Sequence, residues 1–119
     1  MQLKIHDYGL VVLVGPSGSG KSTFAKSRFR NSEVLSSDHY RNVVGDDEHN
    51  ATTTKDAFDV IEEIATRRLR ARRLTVIDAT NVAPDDRKRY VRLARDEHAP
   101  LTAIAFDLPE RDCLAQNAT

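Results

Sequence analysis

The stretch Gly15-Pro16-Ser17-Gly18-Ser19-Gly20-Lys21-Ser22 most restricts what this chain can fold into. It follows the pattern G-x-x-x-x-G-K-[ST], between the apolar run Leu10–Val14 and a segment with helical spacing from Lys21. Three glycines let such a loop wrap closely, so successive backbone N–H groups point inward and surround a β-phosphate. The start of the following helix adds its partial positive charge. Lys21 reaches the β- and γ-phosphates as a point charge, and Ser22 offers its hydroxyl to Mg²⁺. Gly15, Ser17, Gly18, Ser19, Gly20, Lys21, Ser22 and Thr23 are therefore the expected ATP-binding residues, and Ser22 the expected metal ligand. The alternative, a flexible Gly/Ser turn beside an ordinary lysine, does not explain why strand and helix signals flank it on the correct sides.

The rest of the chain alternates strand and helix signals. Leu10–Val14 is short, β-branched and apolar on both faces, as a buried parallel strand is. Glu33–Ser36, Leu74–Asp78 and Leu101–Leu108 are three further strands. Ser37 or Asp38 caps the turn after the second. Thr53 or Thr54 caps a long helix to about Arg73, with Ala57, Phe58, Ile61, Ile64, Ala65 and Leu69 on one face. Pro84 opens a helix that turns Tyr90, Val91 and Ala94 inward. Pro109 opens a final helical stretch. Gly45–Asn50 is a polar loop. This order predicts an α/β fold: a parallel sheet of about four strands in a P-loop NTPase-type arrangement, with helices on both faces, Val76–Asp78 next to Leu10–Val14 and Glu33–Ser36 on the outside.

Composition supplies exclusions. At 119 residues the chain fits one domain, 1–119. Eighteen basic and eighteen acidic residues cancel, which argues against a broad nonspecific grip on nucleic acid but leaves room for a local basic groove. No apolar run approaches the ~20 residues of a membrane helix. The first seven residues lack the apolar core of a signal peptide, so a cytoplasmic location is expected. Cys113 is the single cysteine, which excludes an internal disulfide and a cysteine-rich metal knuckle. His6, His39, His49 and His98 show no metal-ligand spacing. There is no N-K-x-D guanine motif.

Two further carboxylates stand where a parallel sheet binds ligands, just beyond strand C-termini. Asp38 follows the second strand and would face the γ-phosphate, where it can take the proton of an attacking hydroxyl. Arg41, three residues on, shares a helical face with Asp38 and is suited to an anionic acceptor such as another phosphate. The plainer account makes Asp38 a helix cap and Arg41 its surface partner. Asp78 ends the third strand. It either holds a water on Mg²⁺, orients Arg41, or is an ordinary turn aspartate.

Leu10–Val14 with Gly15–Thr23, then Ser36-Ser37-Asp38-x-x-Arg41, Asp78-Ala79-Thr80-Asn81 and Phe106-Asp107-Leu108-Pro109-Glu110 together resemble the 5′-hydroxyl polynucleotide kinases. The similarity is greatest to the kinase modules of bacterial polynucleotide kinase-phosphatases, which repair RNA, and it runs over nearly the whole chain. The resemblance implies ATP- and Mg²⁺-dependent transfer of the γ-phosphate to the 5′-OH end of RNA or DNA. It implies that Lys21 and Ser22 serve ATP and Mg²⁺, that Asp38 is the general base, that Arg41 holds the 3′-phosphate of the acceptor's terminal nucleotide, and that Asp78 supports the site. Further domains of a longer repair polypeptide are the implied partners.

One departure stands out. The family's lid pattern R-N-x-x-R begins here as Gln116-Asn117-Ala118-Thr119, without its first arginine. The lid, the fifth strand and the C-terminal helices of the family are missing, so the expectation is the N-terminal portion of a longer kinase. Two rivals keep the same loop: a kinase of a small-molecule hydroxyl, and a module that binds ATP without turnover. The cluster Arg67, Arg68, Arg70, Arg72 and Arg73 reads as charge compensation at a helix C-terminus and a solvated face. Arg87, Lys88, Arg89, Arg92 and Arg95 read as an exposed helix face. Tyr40, beside Asp38, is the one aromatic placed for base stacking.

Overall fold

The structure, a computed structural model, describes residues 7–47, 51–81 and 83–106. In chain order it contains β1 (Leu10–Val14), α1 (Lys21–Arg28), β2 (Val34–Ser36), α2 (Ser37–Gly45), α3 (Thr54–Arg70), β3 (Thr75–Asp78), α4 (Pro84–Asp96) and β4 (Leu101–Ala105). Short 3₁₀ turns at Asn31–Glu33 and Ala51–Thr53 precede β2 and α3. The strands form one parallel sheet in the order β2-β3-β1-β4. This is the expected α/β arrangement, with β3 beside β1 and β2 outside. Among the described residues β4 is the other edge, its residues alternating between exposed and half-buried.

The alternation of β1 divides the core. Leu10 and Val12 face α3 and α4, where they meet Ile61, Ala65, Leu69, Ile77, Tyr90, Leu93 and Ala94. Val11 and Leu13 face α1, where they meet Ala25, Val76 and the half-buried Phe24, Phe29, Ile104 and Phe106. Both faces of β1 are covered, which is why its five residues are all apolar instead of alternating. α3 uses the three-and-four spacing of Ala57, Ile61, Ala65 and Leu69 to bury one stripe.

Four local expectations need correction. Glu33 belongs to the 3₁₀ turn, so β2 has only three residues. The segment after β2 is a nine-residue helix rather than a turn, and its N-cap is Ser36, whose hydroxyl accepts the backbone N–H of His39 at 3.3 Å. Ser37 and Asp38 lie inside the first turn instead. α3 ends at Arg70, because the left-handed Arg72 and the N–H of Arg73 returning to the carbonyl of Arg68 close it with a turn. In α4 the inward residues are Tyr90, Leu93 and Ala94, while Val91 is 50% exposed. Leu93 lies three residues from Tyr90, on the same face, whereas Val91 lies a quarter turn away. β4 is described to Ala105 and Phe106, and the rest of the expected strand to Leu108, with the final helical stretch, lies outside the described residues.

Candidate functional site

The loop Gly15–Gly20 leaves β1 at its C-terminal edge and enters α1. Gly15 is required by close approach, since a Cβ there would collide with the carbonyl oxygen of Phe106. Gly20 is the N-cap of α1 at φ 97°, a left-handed conformation that costs glycine nothing. The start of α1 has no side-chain cap and no acidic residue in its first turn, whereas α2, α3 and α4 carry Asp38, Asp56, and Asp85 with Asp86 there. The positive end of α1 is thus left without a compensating side chain from its own first turn.

Lys21 opens α1 and is 6% exposed, its Nζ donating to the carbonyl of Pro16 at 3.1 Å. The Ser22 hydroxyl donates to Asp78 Oδ2 at 2.9 Å, which brings the loop and the end of β3 together. Asp78 therefore meets Ser22, and Arg41 meets a different carboxylate. Arg41 Nη1 pairs with Asp38 Oδ1 at 2.9 Å, and Arg41 Nε donates to Thr54 Oγ1 at 3.2 Å. The Asp38 side chain is 69% exposed and that of Arg41 22%.

These residues share one cavity of about 590 Å³. Its wall takes Ser17, Gly18, Gly20, Lys21, Ser22 and Thr23 from the loop and α1, Asp38 and Arg41 from α2, and Asp78 from β3. Gly15 and Ser19 are not on that wall, but the Ser19 hydroxyl is buried in the loop with no partner among the described residues. Thr54, Phe58, Asn81 and Asp86 also line it. A second cavity of about 590 Å³ adjoins the first at Ser22, Ser36, Asp38 and Asp78, and Tyr40 lines this one and not the first. Tyr40 packs edge-to-face on His39, with centroids 4.9 Å apart.

The turn after β3 holds the loop from below. Thr80 accepts the N–H of Gly15 at 2.9 Å, and the Asn81 amide donates to the carbonyl of Leu13 at 2.9 Å. Asn81 adopts φ 51°, which asparagine tolerates better than most residues, and its own carbonyl accepts from Arg87 at 3.0 Å. Thr54, Phe58 and Asp86 were not foreseen as site residues. Thr54 lies thirteen positions from Arg41, and only the folding of α2 against α3 brings the two together.

The loop fits a nucleotide's phosphates and the Ser22–Asp78 pair fits Mg²⁺. An uncapped helix start, a buried lysine and an orphaned serine hydroxyl converge on one side, and a hydroxyl with a carboxylate on the other. No cluster of three or more His, Cys, Asp or Glu that could hold a metal ion occurs among the described residues.

Elsewhere, α3 runs back from the site edge, so its basic end lies at the opposite edge of the sheet. Arg67 pairs with Glu63 at 2.7 Å, Arg70 with Glu97 at 3.3 Å, and Arg72 stacks over Tyr8. Arg68 donates to the carbonyl of Leu74, and desolvation lowers its guanidinium pKa from the ordinary value. Intramolecular partners thus account for most of the cluster. Among the described residues no helix is long and apolar enough to cross a membrane. His6, His49, Cys113 and the stretch Gln116–Thr119 lie outside the described residues.

A family model described as "AAA domain" matches residues 10–119. The chain belongs to that AAA domain family. A chain of the Pnkp1/Rnl/Hen1 complex superposes with a TM-score of 0.74 and 26% identity, over 99% of this chain and 42% of that one. The APS kinase CysC of Mycobacterium tuberculosis superposes at 0.64 with 20% identity, over 87% of this chain and 79% of that one, and shares the fold. Among curated proteins, the transcription factor bHLH140 of Arabidopsis thaliana is 29% identical over 108 residues, which are 91% of this chain and 11% of that protein. The chain thus spans about a tenth of the length of the Arabidopsis protein and less than half of that of the Pnkp1/Rnl/Hen1 chain. In fold and in its phosphate loop it is similar to P-loop kinases, and its resemblance to the polynucleotide kinases extends from motif to structure.

Proposed function

We propose that these 119 residues form a P-loop kinase domain that transfers the γ-phosphate of ATP to the 5′-OH end of RNA or DNA. The observation that carries this reading is the Asp38–Arg41 pair, at 2.9 Å, on the wall of the same cavity as Lys21 and Ser22. A base and an anion-binding guanidinium face the loop from a different strand end, which is what an acceptor carrying both a hydroxyl and a phosphate requires. The identity to a chain of the Pnkp1/Rnl/Hen1 RNA repair complex, 26%, supports a nucleic-acid acceptor and further repair domains as partners.

The residues divide the work. The loop amides and Lys21 hold the β- and γ-phosphates, and their positive charge favours the transition state in which negative charge spreads to the leaving oxygen. Ser22 and Asp78 would hold Mg²⁺, which would supply positive charge to offset that of the phosphates. Asp38 takes the proton from the acceptor hydroxyl as its oxygen bonds to the γ-phosphorus, while the bond to the β-bridging oxygen breaks and ADP leaves. Arg41 holds the acceptor's phosphate so that the hydroxyl points at the donor.

The test is transfer of label from γ-labelled ATP to a 5′-OH oligonucleotide, with a 5′-phosphate oligonucleotide and a bare nucleoside alongside. Label on the 5′-OH oligonucleotide alone supports the reading. The cavity's size, about 590 Å³, falls within the range of small-ligand sites and favours a second reading, a small-molecule hydroxyl as acceptor. Equal labelling of nucleoside and oligonucleotide would select that second reading, and no labelling by a chain that binds ATP would count against the 5′-OH reading and favour a module that binds ATP without turnover.

A further inference from the structure

We propose that Thr54 is a positioning residue that aims Arg41 at an acceptor phosphate. The inference rests on the acceptor role given to Arg41 above. It starts from an asymmetry between the two groups that hold the guanidinium. Asp38 holds Nη1 at 2.9 Å, but it is three residues away on the same short helix and its side chain is largely in solvent. An exposed pair of that kind fixes little. Thr54 holds Nε at 3.2 Å from another element. It is the first residue of α3, and α3 is anchored by the burial of Ala57, Ile61, Ala65 and Leu69. The half-buried Thr54 hydroxyl is therefore a fixed point, and Asp38 a mobile one.

The geometry of arginine makes this matter. The guanidinium is a rigid plane, so a bond to Nε fixes the direction in which the outer N–H groups project. Nε points back at Thr54, and the outer nitrogens are left for Asp38 and for a ligand in the cavity that both residues line. Without the Thr54 hydroxyl, Asp38 is the hydrogen-bond partner that orients the guanidinium among the described residues. The guanidinium then follows the motion of that carboxylate and competes with the acceptor hydroxyl for it. The expected consequence is weaker capture of phosphate-bearing acceptors, with the donor side untouched, because Thr54 makes no contact with the phosphate loop among the hydrogen bonds of the described residues.

The experiment compares Thr54→Val, which keeps the shape and loses the hydroxyl, with Thr54→Ser, which keeps the hydroxyl. Both are measured beside Arg41→Ala and the double variant Arg41→Ala/Thr54→Val. The acceptors are a nucleoside 3′-phosphate and the bare nucleoside, each at saturating ATP. Thr54→Val should raise KM for the 3′-phosphate acceptor about tenfold, the scale of one hydrogen bond to a charged group. The rise should be much smaller for the bare nucleoside, Thr54→Ser should restore it, and the valine should add nothing once Arg41 is alanine. Melting temperatures within a few degrees of the parent would exclude unfolding as the cause. If Thr54→Val melts early, Thr54→Ala, with the same loss of hydroxyl and better helix propensity, takes its place. An unchanged KM in a folded Thr54→Val, or an equal rise in the Arg41→Ala background, would overturn the positioning role while leaving Arg41 as the phosphate ligand. If Arg41→Ala itself does not discriminate between the two acceptors, the acceptor reading and the Thr54 proposal fall together.

Discussion

Asp38 and Tyr90 show how differently a polar side chain can be spent. Asp38 stands largely in solvent, on the wall of the cavity, paired with Arg41. Replacing it with alanine should leave the fold and the ATP site intact, because the loop, Lys21 and Ser22 do not depend on it. If it is the base, transfer should fall roughly 10²–10⁴-fold while the dissociation constant for ATP, read by fluorescence titration, stays within about twofold. A parallel loss of ATP affinity would place Asp38 on the donor side instead. Tyr90 is the opposite case, 1% exposed with its hydroxyl lacking a partner among the described residues. Burial raises its pKa above the ordinary value of 10.0, since the phenolate would have to form in a dry core. The folded state then keeps a proton that the unfolded chain releases near pH 10, so stability falls as pH rises through that point toward the folded pKa. Below pH 10 the neutral phenol is present in both states and the effect vanishes. Tyr90→Phe should therefore flatten the loss of melting temperature between about pH 9 and pH 11. At neutral pH it should cost little or stabilise, because an unpaired buried hydroxyl is removed. A thermal melt series across that range, with an unchanged alkaline slope in the phenylalanine variant, would refute the assignment.

At the scale of elements, the site hangs on α2. This helix buries only Ser37, leaves Val43 and Val44 exposed, and begins one residue before Asp38. Its N-cap bond from His39 to Ser36 thus fixes the turn that carries Asp38 and Arg41. Ser36→Ala should cost about 1 kcal/mol of stability in denaturant unfolding. It should also raise the acceptor KM more than the ATP KM, since the first turn of α2 frays while α1 does not. Equal effects on both substrates would mean that α2 is held by packing and not by its cap. Sequence reading stopped at this same element. The loop before α1 was legible because glycine spacing, the lysine and both flanking elements are all local. The division of the sheet into four strands and the position of β3 beside β1 followed from apolar runs and from where the ligand-bearing strand ends must meet. Short capped helices are harder. Ser36, Ser37 and Asp38 are all good caps, and only the backbone angles choose between them. Val91 and Leu93 are similarly apolar, and the spacing of three from Tyr90 puts Leu93 and not Val91 on the face of α4 that packs on Leu10 and Ile77. Thr54 carried the signal of a helix start but none of a site residue, because a hydrogen bond across thirteen residues has no local pattern.

In the whole molecule, the phosphate loop is tied to the sheet at several points. Gly15 bonds to Thr80, the Asn81 amide to Leu13, and Ser22 to Asp78. The site exists only when β1, β3 and α1 are assembled, so an unfolded chain should have no affinity for ATP, and binding must then raise the unfolding free energy. At free Mg·ATP a hundredfold above its dissociation constant, the gain is about 2.7 kcal/mol. For a chain of this length that corresponds to a rise in melting temperature on the order of 10 °C. Lys21→Ala isolates the cause. Among the described residues Lys21 Nζ donates to the Pro16 carbonyl, and Pro16 is exposed, so water can replace the ammonium there. The melting temperature without nucleotide should therefore change by only a few degrees. The rise with Mg·ATP at the same concentration should shrink to a small fraction, because the charge opposite the β- and γ-phosphates is gone. Asp38→Ala should keep the full rise, since the base faces the acceptor. Differential scanning fluorimetry of the three proteins over a nucleotide titration reads all of this at once. A parent protein whose melting temperature does not respond to Mg·ATP, or a Lys21→Ala variant that responds as the parent does, would show that the loop does not bind the nucleotide as its geometry requires.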